Sequence, residues 1–166
     1  MKSEILVIDD NPDIRLLICN ILNENGYTVR SAANYKQAEK EIIKKLPDLA
    51  IVDIKLDKGE KDGIDLLKLI MNVDKNTPVI MISGHANVQV AVDAIRIGAY
   101  EFVEKPFSSE KIVNYIKRAL ETTNLKKDKS KAENKLFHSF DFIGKNIEVL
   151  NVLKTIEKLA LAESRV

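Results

Sequence analysis

The chain has 166 residues, enough for one full domain and part of another. It is 45% hydrophobic and 31% charged, which is too apolar for a disordered chain. Its net charge of +1 divides into −2 over residues 1–124 and +3 over 125–166, and neither part is basic enough to argue for nucleic-acid binding.

The first apolar run, 5–8, is short and bounded by Asp9 and Asp10, and it reads as a buried strand. A stripe of Ile14, Leu17, Ile18, Ile21 and Leu22 follows at helical spacing, with Arg15, Asn20 and Glu24 facing away. Asn25-Gly26 stops that helix. Residues 28–31 read as the second strand, and a helix from Tyr35 to Leu46 ends before Pro47. Residues 49–52 form a third strand, closed by Asp53. The next helix, 64–73, carries Leu66, Leu67, Leu69 and Ile70 as its apolar set. Residues 79–82 form the fourth strand, closed by Ser83. The fourth helix, 88–97, repeats Val88, Val92 and Ile95 and stops at Gly98. Residues 100–103 form the fifth strand, followed by Lys105-Pro106. Ser108-Ser109-Glu110 then opens a fifth helix with Ile112, Ile116, Ala119 and Leu120 inward.

Five strands thus alternate with five helices over about residues 3–122. Right-handed crossovers between such strands give an α/β, doubly wound, five-stranded parallel sheet with helices on both faces. Beyond it, residues 125–136 are lysine-rich and read as a charged linker or helix extension. A short extended segment over 137–144 and an amphipathic helix over 146–162 are expected next. That last helix has no core of its own within the chain.

In a doubly wound sheet the working site lies at the carboxyl ends of the strands. Asp9, Asp10, Asp53, Ser83 and Lys105 all fall there. Each alone is an ordinary cap, turn or loop residue. Together they place three carboxylates in one pocket, where two unit charges about 4 Å apart cost on the order of 4 kcal/mol at an effective dielectric near 20. Protonation, a lysine or a divalent cation relieves that repulsion. Lys105 supplies one charge against three, so a hard cation with oxygen ligands is the natural remainder, and Mg²⁺ suits one or two carboxylates plus a phosphate. A carboxylate beside that ion is a nucleophile toward phosphorus.

The segments ILVIDDNPDIR, AIVDIKL, VIMISGH and FVEKPF together resemble the receiver domain of bacterial response regulators. The resemblance covers about residues 3–122 and implies a flavodoxin-like sheet of order 2-1-3-4-5. It implies Asp53 as phosphoacceptor, Asp10 as a direct Mg²⁺ ligand, and Asp9 as a ligand acting mostly through water. The backbone carbonyl of Lys55 completes the implied metal site. Ser83 matches the switch hydroxyl, Phe102 the switch aromatic, and Lys105 the family lysine, with a cis bond between Lys105 and Pro106. The implied partners are a sensor histidine kinase and a second copy of the chain, through the face made by the fourth helix, fifth strand and fifth helix. The chain is expected to be no enzyme, only stoichiometrically phosphorylated. A pseudo-receiver, acting as an interaction module without phosphorylation, is the alternative.

The stretch DIKLDKGEKDG puts Asp62-Gly63 nine and ten residues after Asp53 without the family's common proline turn. This longer, charged connection, with SGHAN and GAYEFVEKPF, resembles the nitrogen-regulation NtrX-like branch of the NtrC family. The tail FDFIGKNIEVLNVLKTIEKLALAESRV resembles the opening of the AAA+ ATPase domain of σ54-dependent activators. The expected organisation is a receiver over 1–124, a linker over 125–140 and a truncated AAA+ start over 141–166. No G-x-x-x-x-G-K-[ST] occurs, so ATP, DNA and σ54 polymerase are expected to engage only downstream domains.

A dehalogenase-like phosphatase also forms an aspartyl phosphate, but it needs Asp-x-Asp at the end of strand one, and here the sequence is Asp9-Asp10-Asn11. His85 and His138 are far apart and suggest no metal site. Cys19 reads as packing; as the single cysteine it excludes an intrachain disulfide and suits a reducing cytoplasm. No apolar run approaches the roughly 20 residues of a membrane helix, and the N-terminus is no signal peptide.

Overall fold

A computed structural model describes residues 1–56, 61–85 and 87–143. Met1–Thr123 forms one compact unit, and residues from Asn124 onward fall in another. In chain order the elements are β1 (Glu4–Ile8), α1 (Pro12–Glu24), β2 (Thr28–Ala32), α2 (Tyr35–Lys44), β3 (Leu49–Asp53), α3 (Gly63–Val73), β4 (Val79–Ser83), α4 (Val88–Ile97), β5 (Glu101–Glu104) and α5 (Ser109–Ile143). The strands pair in the order β2-β1-β3-β4-β5, and every pairing is parallel.

Strand pleating divides the core in two. Leu6, Ile8, Ala50, Val52, Val79 and Met81 point to one face, where Ala38 and Ile42 of α2, Leu66, Leu67 and Ile70 of α3, and Ala94 of α4 cover them. Ile5, Val7, Leu49, Ile51, Ile80 and Ile82 point to the other, against Ile18 and Leu22 of α1 and Ile112 and Ile116 of α5. Burial on both faces explains why the three central strands are continuous apolar runs.

The helix starts follow local chemistry. Asn11 caps α1 by accepting from the amides of Asp13 and Ile14, and Pro12 takes the first helical position, where no amide is needed. Asp62 caps α3 in a reciprocal box, accepting from the Ile64 and Asp65 amides while Asp65 accepts from the Asp62 amide. Asp62→Ala is expected to cost about 1 kcal/mol of stability, read as a lower urea midpoint with an unchanged slope.

Several expectations need correction. Leu17, placed on the inner stripe of α1, is 56% exposed. Val88, Val92 and Ile95 of α4 point outward, and Ala94 is the buried residue of that helix. The apolar repeat of α4 therefore marks a surface, not a core contact. The extended segment expected over 137–144 is not seen, because residues 137–143 are the end of α5. No glycine or proline occurs between Phe107 and Ile143, so no helix-breaking residue interrupts α5 there. The expected helix over 146–162 and the AAA+ start from residue 144 onward lie outside the described residues. Among the described residues, no helix is long and apolar enough to cross a membrane.

Candidate functional site

The carboxyl ends of β1, β3, β4 and β5 bring the polar residues of the sequence together. Asp9 and Asp53 are almost fully buried. Carboxylate oxygens of Asp9, Asp10 and Asp53 lie within 4.8 Å of one another. Lys105 enters from beyond β5, and its Nζ donates to Asp9 Oδ2 at 2.8 Å and to Asp53 Oδ2 at 2.7 Å. The Lys105 amide donates to the Ser83 carbonyl at 2.8 Å, which ties the loop after β5 to the end of β4. The Lys105–Pro106 peptide bond is cis.

The remaining hydrogen bonds orient the acids. Asp9 Oδ1 accepts from the Asn11 amide at 2.9 Å, and Asp53 Oδ1 accepts from the Lys55 amide at 3.3 Å. Ser83 is buried at the end of β4, but its hydroxyl faces the connection to α4. It donates to the His85 carbonyl at 3.0 Å and accepts from the His85 amide at 3.2 Å. Phe102 on β5 pairs in register with Met81 and packs, partly exposed, against the core face covered by α2, α3 and α4.

Burial pushes the Asp53 carboxyl above its ordinary range; the hydrogen bond and charge of Lys105 pull it back down, and the negative charge of Asp9 raises it. Burial lowers the Lys105 ammonium, but its bonds to Asp53 and Asp9 outweigh that and leave it raised. The pocket therefore holds its lysine charged while resisting the charge on its central acid. Three clustered carboxylates with hard oxygen donors fit a small divalent cation of the Mg²⁺ type.

Sequence reasoning missed two contributors. Arg15 was placed on the outer face of α1, yet its Nη1 reaches back to the Asp9 carbonyl at 2.7 Å. Helical side chains lean toward the helix N-terminus, so a long side chain in the first turn of α1 reaches the end of β1. Gly63 lies against the backbone of Asp53, which no sequence pattern announces. At the near end of the same connection, the Lys61 ammonium sits 4.9 Å over the Tyr35 ring of α2.

The profile of the response regulator receiver domain family matches residues 5–117. The nitrogen assimilation regulatory protein NtrX of Azorhizobium caulinodans is 36% identical over 166 residues, covering 100% of this chain and 36% of that protein. The chain thus spans about a third of the length of the curated relatives it matches, 36% and 34% for the first two. The crystal structure of the NtrX receiver domain from Brucella abortus is 44% identical, with a TM-score of 0.68, over 71% of this chain and 98% of that one. The beryllofluoride-activated NtrC4 receiver domain dimer is 37% identical with a TM-score of 0.67, over 72% of this chain and 98% of that one. With the 2-1-3-4-5 sheet and the acidic cluster at its carboxyl edge, the chain belongs to the response regulator receiver domain family, among relatives of the NtrX type.

Proposed function

We propose that Asp53 accepts a phosphoryl group from a sensor histidine kinase or a small phosphodonor and thereby switches the surface formed by α4, β5 and α5. The observation that carries this reading is the buried bridge from Lys105 to both Asp9 and Asp53 beside a third carboxylate. A carboxylate oxygen of Asp53 attacks phosphorus, and the phosphorus bond to the donor's nitrogen or oxygen breaks, leaving an acyl phosphate on Asp53. Asp9, Asp10 and Asp53, with the Lys55 carbonyl, are the residues that would hold Mg²⁺, which supplies positive charge against the oxygens of the transferring group. Lys105 places a further positive charge beside the same oxygens.

The new phosphoryl oxygens draw the Ser83 hydroxyl away from its bonds to His85. Phe102 then moves inward, and the outer face of α4 changes its setting. That face presents Val88, Val92 and Ile95, with Tyr100 nearby in sequence, all exposed. An apolar surface of this kind supports dimerisation, and the activated NtrC4 receiver, a dimer, supports the same reading. By likeness to NtrX, the chain serves transcription regulation in nitrogen control, in the cytoplasm. Residues 125–140 act as linker and 141–166 as the opening of an AAA+ domain, and contacts with DNA and σ54 polymerase belong to downstream domains.

The test is intact-mass spectrometry after acetyl phosphate treatment with and without Mg²⁺. The expected result is one added phosphoryl group, dependent on Mg²⁺ and mapped to Asp53. A folded chain that stays unmodified at Asp53 removes the acceptor role and leaves the pseudo-receiver reading.

A further inference from the structure

Gly63 is the first residue of α3, and its amide donates to the Ile54 carbonyl at 2.9 Å. The Ile54 amide donates in turn to the Ile82 carbonyl of β4 at 2.9 Å. The residue following the acceptor is thus gripped from two sides, by the neighbouring strand and by the head of the next helix. The contact on the helix side leaves no room for a side chain at Gly63. A Cβ added at Gly63 would overlap the Asp53 carbonyl oxygen, and it would stand 2.8 Å from the Asp53 carbonyl carbon and 2.9 Å from Ile54 Cα. All three are main-chain atoms at the end of a buried strand, so no rotamer change relieves the collision.

Backbone conformation does not explain this glycine. The glycines at positive φ among the described residues are Gly26 and Gly98, not Gly63. Helix propensity does not explain it either, because alanine is favoured over glycine in helices by up to about 1 kcal/mol. A Cβ at Gly84, also near the pocket, would meet nothing within 4 Å, so tight quarters are not general there. The missing side chain serves the approach to Asp53 itself.

We infer that Gly63 is a positioning residue of the phosphoacceptor site. Its contact with residues 53 and 54 sets where the Asp53 carboxylate and the Lys55 carbonyl stand. The hydrogen bond between Gly63 and Ile54 also closes the ends of the charged connection between them. The acceptor's position is thereby separated from the length and composition of that connection, which explains how a long connection coexists with the acidic pocket. The inference rests on the reading of Asp53 as the acceptor.

The test compares Gly63→Ala with wild type in the full 166-residue chain. The variant is expected to keep its circular dichroism spectrum and to bind Mg²⁺ about tenfold more weakly by calorimetry. Acetyl phosphate should modify it on the order of 100-fold more slowly even at saturating Mg²⁺, the scale of a displacement of about 1 Å. Unchanged Mg²⁺ affinity and unchanged rate would overturn the inference. A wild-type chain that takes up no phosphoryl group, while Gly63→Ala still weakens Mg²⁺ binding, overturns the acceptor reading and supports the contact's role. If the variant does not fold, the wild-type Gly63 amide decides. Hydrogen exchange as slow as that of the β3 amides supports the inference, and exchange at the rate of an open loop overturns it.

Discussion

Asp53→Asn is expected to abolish phosphoryl uptake and, in metal-free buffer, to make the protein more stable. The amide is nearly isosteric with the carboxylate, so the fold persists, but its oxygen is no nucleophile at neutral pH. Loss of the attacking group belongs on the scale of roughly 10⁶-fold, which leaves no signal by intact mass. The stability gain follows from burial. Folding raises the Asp53 pKa above 3.8, first through burial, against the opposing pull of Lys105 and with the charge of Asp9 adding to the rise. A carboxylate with a raised folded pKa binds more protons folded than unfolded between those two values. Its contribution therefore turns against folding as pH climbs from 3.8 through the folded pKa, and it stays unfavourable at neutral pH. Asparagine removes that contribution. Urea unfolding across this pH range, with a chelator present, should show the variant gaining on wild type as pH rises. A variant less stable than wild type at neutral pH would contradict the direction of the shift.

Lys105→Ala is expected to have the largest effect on stability. The lysine side chain is 16% exposed, and its partners Asp9 and Asp53 are 1% and 8% exposed. Breaking a buried ion pair by removing one partner costs about 3 to 5 kcal/mol, because the other charge stays buried without compensation. Here one ammonium serves two carboxylates, and both lose it together. At about 3 kcal/mol, the metal-free melting point should fall by roughly 10 °C for a domain of this size. Binding at a hundredfold excess over Kd adds about 2.7 kcal/mol, so Mg²⁺ should recover most of the loss. Melting curves with and without Mg²⁺ check this, and a metal-free variant that melts with wild type would show that the bridge carries little stability. Phosphorylation itself should persist, with the Ser83 and Phe102 response weakened. Dimerisation on beryllofluoride treatment reads that response, and wild-type dimerisation in the variant would remove Lys105 from the switch.

Both predictions depend on residues whose placement is legible in the sequence. Apolar strand runs end where polar residues begin, and a parallel sheet gathers those ends on one edge. Asp9, Asp10, Asp53, Ser83 and Lys105 could therefore be grouped from their positions alone. The orientation of the Ser83 hydroxyl toward His85 could not, because a serine at a strand end has several rotamers of similar energy and the surrounding backbone selects one.

The apolar repeat of α4 shows the same limit from another side. Periodicity identified a helix over residues 88–97 and its apolar stripe, but not the direction of that stripe. The helix turns Ala94 inward, leaving Val88, Val92 and Ile95 exposed. A small residue lets a helix sit close to the sheet, and the larger ones then become surface. Leu17 on α1 was misplaced for a related reason, since only the packed arrangement decides how wide a helix's buried stripe is.

By itself the sequence determined the alternation of five strands and five helices, the two-faced burial of the central strands and the acidic edge where Asp53 stands. These follow from local periodicity and from where apolar runs stop. Only the tertiary structure decided that Arg15 returns to the Asp9 carbonyl, that α4 turns Val88, Val92 and Ile95 outward and that Gly63 rests on the backbone of Asp53. The first and last depend on how the end of a strand meets the helix that follows it, and the second on the roll of one helix against the sheet; no spacing within a single segment encodes either.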